Sequence, residues 1–459
     1  MQMVDLKDQK IALLALGVEN VELAKYLLTK GIGFTVHDKK DHLNMEDFFP
    51  RSLLSMVSTQ LGEKYLDGFG KYDIIFRTPG FHRLSPVLLE VEKTGGVISS
   101  QTKLFFDLCP AQIVGVTGTK GKGTTSTLIA EILRNTGRRV FLGGNIGTPP
   151  ISFLHDLHSE DVVVLELSSF QLQDLHRSPC VSVVLMVTSE HLDHHIKTDE
   201  YVEAKKSIVR YQLREDYAII NDDYEASQSF VQETPAKIFR VSRQHEVQQG
   251  AFVRDDTIIM RDQDVDTVLC HIDDILLPGA HNLENVMAAA LAGKAFGVSH
   301  QVIRDTLRVF RGLPYRLELV RELNGIKYYN DSFSTIPESA IVALQAFSQP
   351  KIIILGGSDK GSDYRQLGQS VIQEKTKAVV LIGAMAEKIR EVIESAARDS
   401  EDKPILLDGA LTMREIVQRV SGIARSGDVV ILSPACASFG MFKDYKDRGD
   451  QFRKSVLEL

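Results

Sequence analysis

Short apolar runs recur along the chain, separated by stretches in which apolar residues return every three or four positions. The first run, 11–16, leads through Gly17-Val18-Glu19-Asn20 into a helical pattern over 21–28, and a second strand-like run follows at 34–38. That spacing predicts a βαβ unit about as long as a dinucleotide-binding opening. Similar runs predict strands at 73–76, 112–117, 139–142, 161–167, 181–187, 217–220, 326–329, 351–355, 378–382 and 429–432. Unbroken apolar runs suit strands covered on both faces, and their alternation with helices predicts parallel sheets. One region departs: 240–275 alternates apolar and polar residues, which predicts short antiparallel strands around Ala251-Phe252-Val253 and Thr257-Ile258-Ile259-Met260. Long helices are expected over 285–296, rich in alanine, and 301–310, and Arg311-Gly312-Leu313-Pro314 reads as a linker. The expectation is an α/β protein in three blocks, 1–105, 106–310 and 311–459, the first of them Rossmann-like.

Composition narrows the picture only a little. The 459 residues correspond to two to four domains at roughly 100–200 residues each. Hydrophobic residues at 43% and charged residues at 25% are those of an ordinary globular protein. A net charge of −8, a pI near 5.9 and no basic run argue against nucleic acid or an anionic membrane as partner. The charged start and the short run at 11–16 fit neither a signal peptide nor a membrane span. Four scattered cysteines, with no C-x-x-C spacing, suit the reducing cytoplasm. A cytoplasmic protein is expected, and composition names no function.

The chain is organised around Val114-Gly115-Val116-Thr117-Gly118-Thr119-Lys120-Gly121-Lys122-Gly123-Thr124-Thr125. An apolar strand ends in glycines, then lysine and hydroxyls, before an apolar-periodic helix. Glycines let backbone N–H groups converge on a polyphosphate, a helix N-terminus adds positive potential, and Lys122 adds a point charge. The spacing is a shortened P-loop: Val116 stands where the usual first glycine belongs, and Gly123 where the hydroxyl belongs. Thr124 or Thr125 is then the expected magnesium hydroxyl.

Other polar loops follow predicted strands, where open α/β sheets bind ligands. Glu166, at the end of a buried strand beside the P-loop, reads as a second magnesium contact, with a helix cap or solvated glutamate as the alternative. Glu190, His191, Asp193, His194 and His195 could form a zinc site or a polar surface. Asn282 and Asn285 are expected to face outward near the start of the alanine-rich helix. The opening βαβ is a weak nucleotide signal, because Ala15 and Asn20 occupy the first and third glycine places of the dinucleotide motif.

Eight motifs in order carry a resemblance that covers nearly the whole length. They are Thr117-Gly118-Thr119-x-Gly121-Lys122, Gly144-Asn145-Ile146-Gly147, Glu166-x-Ser168-Ser169-x-Gln171, His281-Asn282-x-x-Asn285, Gly312-Leu313-Pro314-x-Arg316, Asn330-Asp331-Ser332, Gly356-Gly357 with Lys360, and Ser433-Pro434-Ala435-x-Ala437-Ser438. The chain resembles the Mur ligases, and the ending with Arg448, Gly449 and Phe452 looks most like members that add D-glutamate to UDP-N-acetylmuramoyl-L-alanine. The resemblance implies a Rossmann-like N-terminal UDP-binding domain, a central P-loop ATPase domain with a mostly parallel sheet, and a Rossmann-like C-terminal domain for the amino acid. It implies ATP-driven activation of a carboxylate as an acyl phosphate, and two magnesium ions.

By that resemblance, Gly118, Thr119, Lys120, Gly121, Lys122, Gly123, Thr124 and Thr125 cradle ATP, and Asn282, Asn285, Arg316 and Asp331 also contact the nucleotide. Thr124 and Glu166 hold one magnesium and His191 a second. Lys205 matches the lysine that becomes a carbamate and helps position the metal; a surface lysine paired with Lys206 is the plain alternative. Lys122, His191, Lys205 and Glu166 form the catalytic set. Val18, Lys39, Lys40 and Thr78 match the UDP-side loops, and Asn145 and Ser168 the muramoyl-alanine end. Thr335, Lys360, Ser438 and Phe439 match positions holding the incoming glutamate. Three positions depart from the pattern: Phe333 stands for lysine, Gly123 for serine or threonine, and Lys120 for asparagine. They bear on which amino acid is taken more than on the reaction. The alternatives are a relative using L-glutamate or another amino acid, a folylpolyglutamate synthetase, a P-loop kinase or GTPase, and a non-catalytic nucleotide-binding relative.

Overall fold

The computed structural model describes residues 6–188, 198–359, 361–398, 400, 402–408 and 412–459. Three sheets organise them. In the first, β1 (Ile11–Leu14), β2 (Phe34–Asp38), β3 (Val57–Leu61), β4 (Ile74–Arg77) and β5 (Val97–Ser99) run parallel in the order β3-β2-β1-β4-β5. Strand order reverses between β1 and β4, so the loop after β1 opens at a switch point. Ala15, in that loop, has φ 63°, the left-handed conformation that normally selects glycine. Asn20 is fully buried, and its amide donates to the carbonyls of Leu14, Ala15 and Phe76 at 3.1, 2.9 and 3.2 Å. The turn keeps its shape through a buried asparagine where the dinucleotide motif uses glycine.

The second sheet contains β6 (Gln112–Thr117), β7 (Val140–Gly144), β8 (Val162–Glu166), β9 (Val181–Val184), β10 (Tyr217–Asn221), β11 (Lys237–Ser242), β12 (Gly250–Arg254), β13 (Thr257–Asp262) and β14 (Val265–His271). Their order is β14-β13-β12-β11-β10-β9-β6-β8-β7. Pairing is parallel up to β12 and antiparallel from β12 through β14. The change falls where the apolar runs give way to alternation. β6 lies between β9 and β8, so Thr117, Glu166 and Val184 end side by side and their loops open on one edge.

The third sheet orders β15 (Glu318–Leu323), β16 (Ile326–Asn330), β17 (Lys351–Gly356), β18 (Ala378–Ile382), β19 (Ile405–Asp408) and β20 (Val429–Leu432) as β15-β16-β20-β17-β18-β19. Only β15 runs antiparallel. Its central strands are buried throughout, as unbroken apolar sequences such as Ala378–Ile382 require.

The chain forms two compact units, Met1–Ile272 with Glu284–Thr306, and Asp273–Leu283 with Leu307–Leu459. Inside the first unit, buried polar contacts join the first sheet to the second. Arg77 at the end of β4 pairs with Asp174 at 2.8 Å, both side chains 1% exposed, and donates to the Phe170 carbonyl at 2.7 Å. Gln171 donates to Glu19 at 2.7 Å, and the Gln101 carboxamide oxygen accepts from the Ile151 amide at 2.9 Å. No helix among the described residues is long and apolar enough to cross a membrane.

Candidate active site

β6 delivers the chain into Gly118-Thr119-Lys120-Gly121, and a helix, Lys122–Arg134, begins at once. Gly121 is its N-cap, with φ 87°, and Gly118 has φ 152°. A Cβ on Gly121 would lie 2.2 Å from the Asn285 Oδ1, and one on Gly118 would lie 2.9 Å from the Leu185 Cβ. Glycine is required at both for conformation and for space. A helix that begins directly after such a loop offers the positive end of its dipole and its first-turn N–H groups to an anion, as a polyphosphate site needs. The Lys122 ammonium bends back over this loop, donating to the carbonyls of Gly118 at 3.0 Å and Thr119 at 3.1 Å. Lys120 is exposed at the loop tip, and Gly123 is buried.

The two candidate magnesium hydroxyls separate here. Thr125 is fully buried and its hydroxyl donates to Asn285 Oδ1 at 3.2 Å, whereas Thr124 is half-buried. Asn282 and Asn285 do not face outward as their place near a helix start suggested. They are 7% and 4% exposed. Asn285, in the first unit, packs on the P-loop; Asn282, in the second, donates to the Pro278 carbonyl at 2.7 Å.

Lys205, from the helix Thr198–Arg210, reaches under the loop. Its ammonium donates to the Thr117 hydroxyl at 3.2 Å and the Gly118 carbonyl at 3.3 Å, and lies 4.5 Å from the centre of the Tyr201 ring. The side chain is 1% exposed, so the plain reading of a surface lysine fails. Burial, then the nearby Lys122 charge, hold its pKa well below the ordinary lysine value, against a smaller opposing pull from Glu166. Tyr201 stands one helical turn before Lys205, a pairing visible in the sequence as i, i+4 spacing but without a chemical signal of its own. Its hydroxyl lies 3.2 Å from that of Thr119.

Glu166 is 6% exposed at the end of β8. Its Oε1 accepts from the Asn145 side-chain amide at 2.9 Å, and the Asn145 backbone N–H donates to its carbonyl at 2.8 Å. Asn145 itself is exposed. Ser168 caps the short helix Ser169–Leu172 in a box with Gln171, and Gln171 in turn holds Glu19, beside Val18. Val18 is 73% exposed, Lys39 and Lys40 are exposed after β2, and Thr78 is half-buried after β4. The Lys40 N–H donates to Asp38 at 3.0 Å. These four lie at the carboxyl edge of the first sheet. Glu19 and Gln171, which sequence reasoning did not assign, tie that edge to the Ser168 loop. His191, and the acid–histidine cluster around it, lie outside the described residues.

In the second unit, loops after β16, β17, β18 and β20 converge. Asp331 is 6% exposed and accepts from the Ser334 hydroxyl, from Ser433 at 2.7 Å and from the Leu317 N–H at 3.1 Å. Burial outweighs these donors and raises its pKa to about 6. Gly356 and Gly357 have φ 121° and 150°, and a Cβ on Gly357 would lie 2.1 Å from the Ala437 carbonyl oxygen. Ser438 is buried, Phe439 is 64% exposed, and Thr335 is half-buried. Lys360 lies outside the described residues. Arg448, fully buried, braces the Asp331 loop through Ser332; burial lowers its pKa to about 10.

The model of the Mur ligase middle domain matches residues 116–293, and that of the Mur ligase glutamate ligase domain matches 315–436. A UDP-N-acetylmuramoylalanine–D-glutamate ligase from Acetivibrio thermocellus is 40% identical, covering 99% of this chain and 97% of its own. The chain belongs to the Mur ligase family. A second D-glutamate ligase, from Ruminiclostridium cellulolyticum, is 38% identical to this Mur ligase over 99% of the chain and 98% of its own. Among solved structures, MurF from Thermotoga maritima in complex with ADP shares the fold at a TM-score of 0.56 and 18% identity, covering 99% of each chain.

Proposed function

We propose that this Mur ligase joins D-glutamate to UDP-N-acetylmuramoyl-L-alanine at the expense of ATP, in the building of peptidoglycan precursors. Full-length similarity to D-glutamate ligases, 40% over 99% of the chain in one case, carries the reading. The substrate's alanyl carboxylate attacks the γ-phosphorus of ATP, ADP leaves, and an acyl phosphate forms. The neutral amine of D-glutamate attacks that carbonyl, the amine proton is lost, and phosphate leaves from the tetrahedral intermediate. Activation is needed because a free carboxylate is unreactive toward an amine, and the chemistry depends on positioning and charge stabilisation.

The assignments follow the three blocks 1–105, 106–310 and 311–459. Val18, Lys39, Lys40 and Thr78 hold the UDP end; Asn145 and Ser168 hold the muramoyl-alanine end. Gly118 through Thr125 cradle the ATP phosphates, with Lys122 as the charge, and Asn282, Asn285, Arg316 and Asp331 complete nucleotide binding. Thr335, Lys360, Ser438 and Phe439 receive the amino acid.

The half-buried Thr124 hydroxyl and the buried Glu166 carboxylate are hard oxygen donors, and among the described residues no group of three His, Cys, Asp or Glu side chains converges. That donor set fits magnesium, which keeps several waters and phosphate oxygens of its own. When bound, magnesium neutralises the charge of the phosphoryl oxygens. Thr124 and Glu166 would hold one ion, and His191 with a carbamate on Lys205 a second. The buried environment of Lys205 supports the carbamate, because only a neutral amine reacts with carbon dioxide, losing a proton to become an anion. The proposed setting is the cytoplasm, and the proposed working form a monomer.

Phosphate release with UDP-N-acetylmuramoyl-L-alanine, run with D-glutamate and separately with L-glutamate, tests the reading. Release requiring both the nucleotide sugar and D-glutamate is expected. Equal or faster release with L-glutamate overturns the D-glutamate assignment, and ATP turnover without any amino acid overturns ligation.

A further inference from the structure

Phe333 is the conspicuous exception in a buried loop. Asp331, Ser332 and Ser334 around it are 6%, 0% and 5% exposed, while Phe333 is 42% exposed. Its ring lies beneath the Arg316 guanidinium, 4.1 Å from carbon to ring centre, and meets Tyr445 edge-on at 5.2 Å and 90°. The supporting backbone is fixed on both sides. The Phe333 N–H donates to the Tyr315 carbonyl at 3.0 Å, and the Leu317 N–H donates to Asp331 at 3.1 Å. Tyr315 and Leu317, flanking Arg316, have φ 63° and 43°, left-handed conformations that only a well-braced loop sustains. Below the ring, the Ser332 hydroxyl donates to the Tyr445 carbonyl at 2.8 Å and accepts from Arg448 at 2.9 Å.

We propose that Phe333 is a positioning residue that clamps Arg316 in the orientation in which it meets the nucleotide's anionic oxygens. A free arginine side chain samples many rotamers, and a planar guanidinium stacked on a ring gives up that freedom before the ligand arrives. An ammonium at this position would bring a second charge but would repel the guanidinium beside it. The aromatic ring exchanges that second cation for one pre-set fork. The inference rests on the reading of Arg316 as a nucleotide contact.

ADP binding to the full-length chain by calorimetry, with steady-state KM values for ATP and D-glutamate, provides the test. Phe333→Leu keeps the apolar bulk but loses the π face, and is expected to weaken ADP binding roughly three- to thirtyfold. Phe333→Tyr and Phe333→Trp should stay within about twofold of the wild type. The D-glutamate KM should not follow, and Phe333→Leu added to Arg316→Ala should weaken ADP binding no further. The clamp is overturned if Phe333→Leu binds ADP as the wild type does, if the loss persists undiminished without Arg316, or if it falls on D-glutamate alone. A wild-type chain that binds no ADP brings down the nucleotide reading and the clamp together. One that binds ADP and forms product while Phe333→Leu binds equally well brings down the clamp only.

Discussion

The Lys205 ammonium lies 3.2 Å from the Thr117 hydroxyl, directly beneath the loop that begins at Gly118. A buried lysine beside a second cation is unfavourable as an ammonium, so the unmodified side chain favours the neutral amine. Between its lowered pKa and the ordinary lysine value, the unfolded chain binds more protons than the folded one. Unmodified Lys205 therefore costs stability at neutral pH, and the cost fades as pH rises toward 10.5. A carbamate removes the difficulty by exchanging the cation for an anion.

Lys205→Ala is expected to lower turnover by roughly a hundredfold or more, the scale of losing a group that holds transition-state charge. A short carboxylic acid should restore part of that rate by standing in for the carbamate. Removing carbon dioxide and bicarbonate should slow the wild type and leave the variant unchanged. Absence of both effects would refute the modification while leaving the lysine essential.

Thr124 and Thr125 should differ in kind. Thr124→Val is expected to raise the magnesium concentration needed for half-maximal turnover by roughly tenfold, with ATP binding in the absence of metal nearly intact. Thr125→Val acts through Asn285, to which its hydroxyl donates at 3.2 Å, so it should weaken ADP binding with or without metal. Thr125→Val in the Asn285→Ala background should then add little, since the threonine hydroxyl acts through that side chain. Magnesium titrations that respond equally to both threonine variants would contradict the division.

What the sequence revealed and what it hid follow burial. The central strands, such as Val162–Glu166 and Val429–Leu432, are buried on both faces and announce themselves as apolar runs. Of the strands it did not indicate, β3, β5, β15 and β19 lie at sheet edges, while β11 is an interior strand whose apolar run is broken by Arg240. Val57–Leu61 has no buried residue, and neither does Ile405–Asp408, so neither needs an apolar run. The P-loop was legible because glycine conformation and phosphate chemistry constrain local spacing. The burial of Asn285 was not, because it depends on a contact with Thr125, 160 residues away. Likewise Arg448 was visible as part of a motif, but its bracing of the Ser332 loop appears only where β16 and the C-terminal helix Tyr445–Leu457 meet. His191 and Lys360, read from motifs, fall outside the described residues, and their roles rest on the resemblance.

Ser438 is expected to act on the amino acid. Its buried position, 4% exposed beside the exposed Phe439, places a hydroxyl in a loop that also pairs with Ser358 through Ala437. Ser438→Ala should raise the D-glutamate KM by roughly tenfold, the loss of one hydrogen bond to a charged group, with the ATP KM moving far less. Equal effects on both would remove Ser438 from the amino-acid site.

Asp331 should make the C-terminal unit pH-sensitive. Its folded pKa, raised by burial to about 6, exceeds its ordinary value of 3.8. Between those values the folded state binds more protons than the unfolded state, so stability falls as pH rises. The contribution is fully present below about 3.8 and lost above about 6. At about 1.4 kcal/mol per pH unit, the swing approaches 3 kcal/mol as an upper bound. Asp331→Asn removes the titration; its one amide oxygen can still accept from the Leu317 N–H, with the amide nitrogen then donating toward the serine hydroxyl oxygens. The local stability of the wild type relative to that variant, read from amide hydrogen exchange in β16 and β20, should therefore decline from about pH 4 to about pH 7. Comparing the two proteins cancels every other titrating group. A difference that stays flat, or grows with pH, would mean that the Asp331 carboxylate is held ionised by its three donors despite its burial.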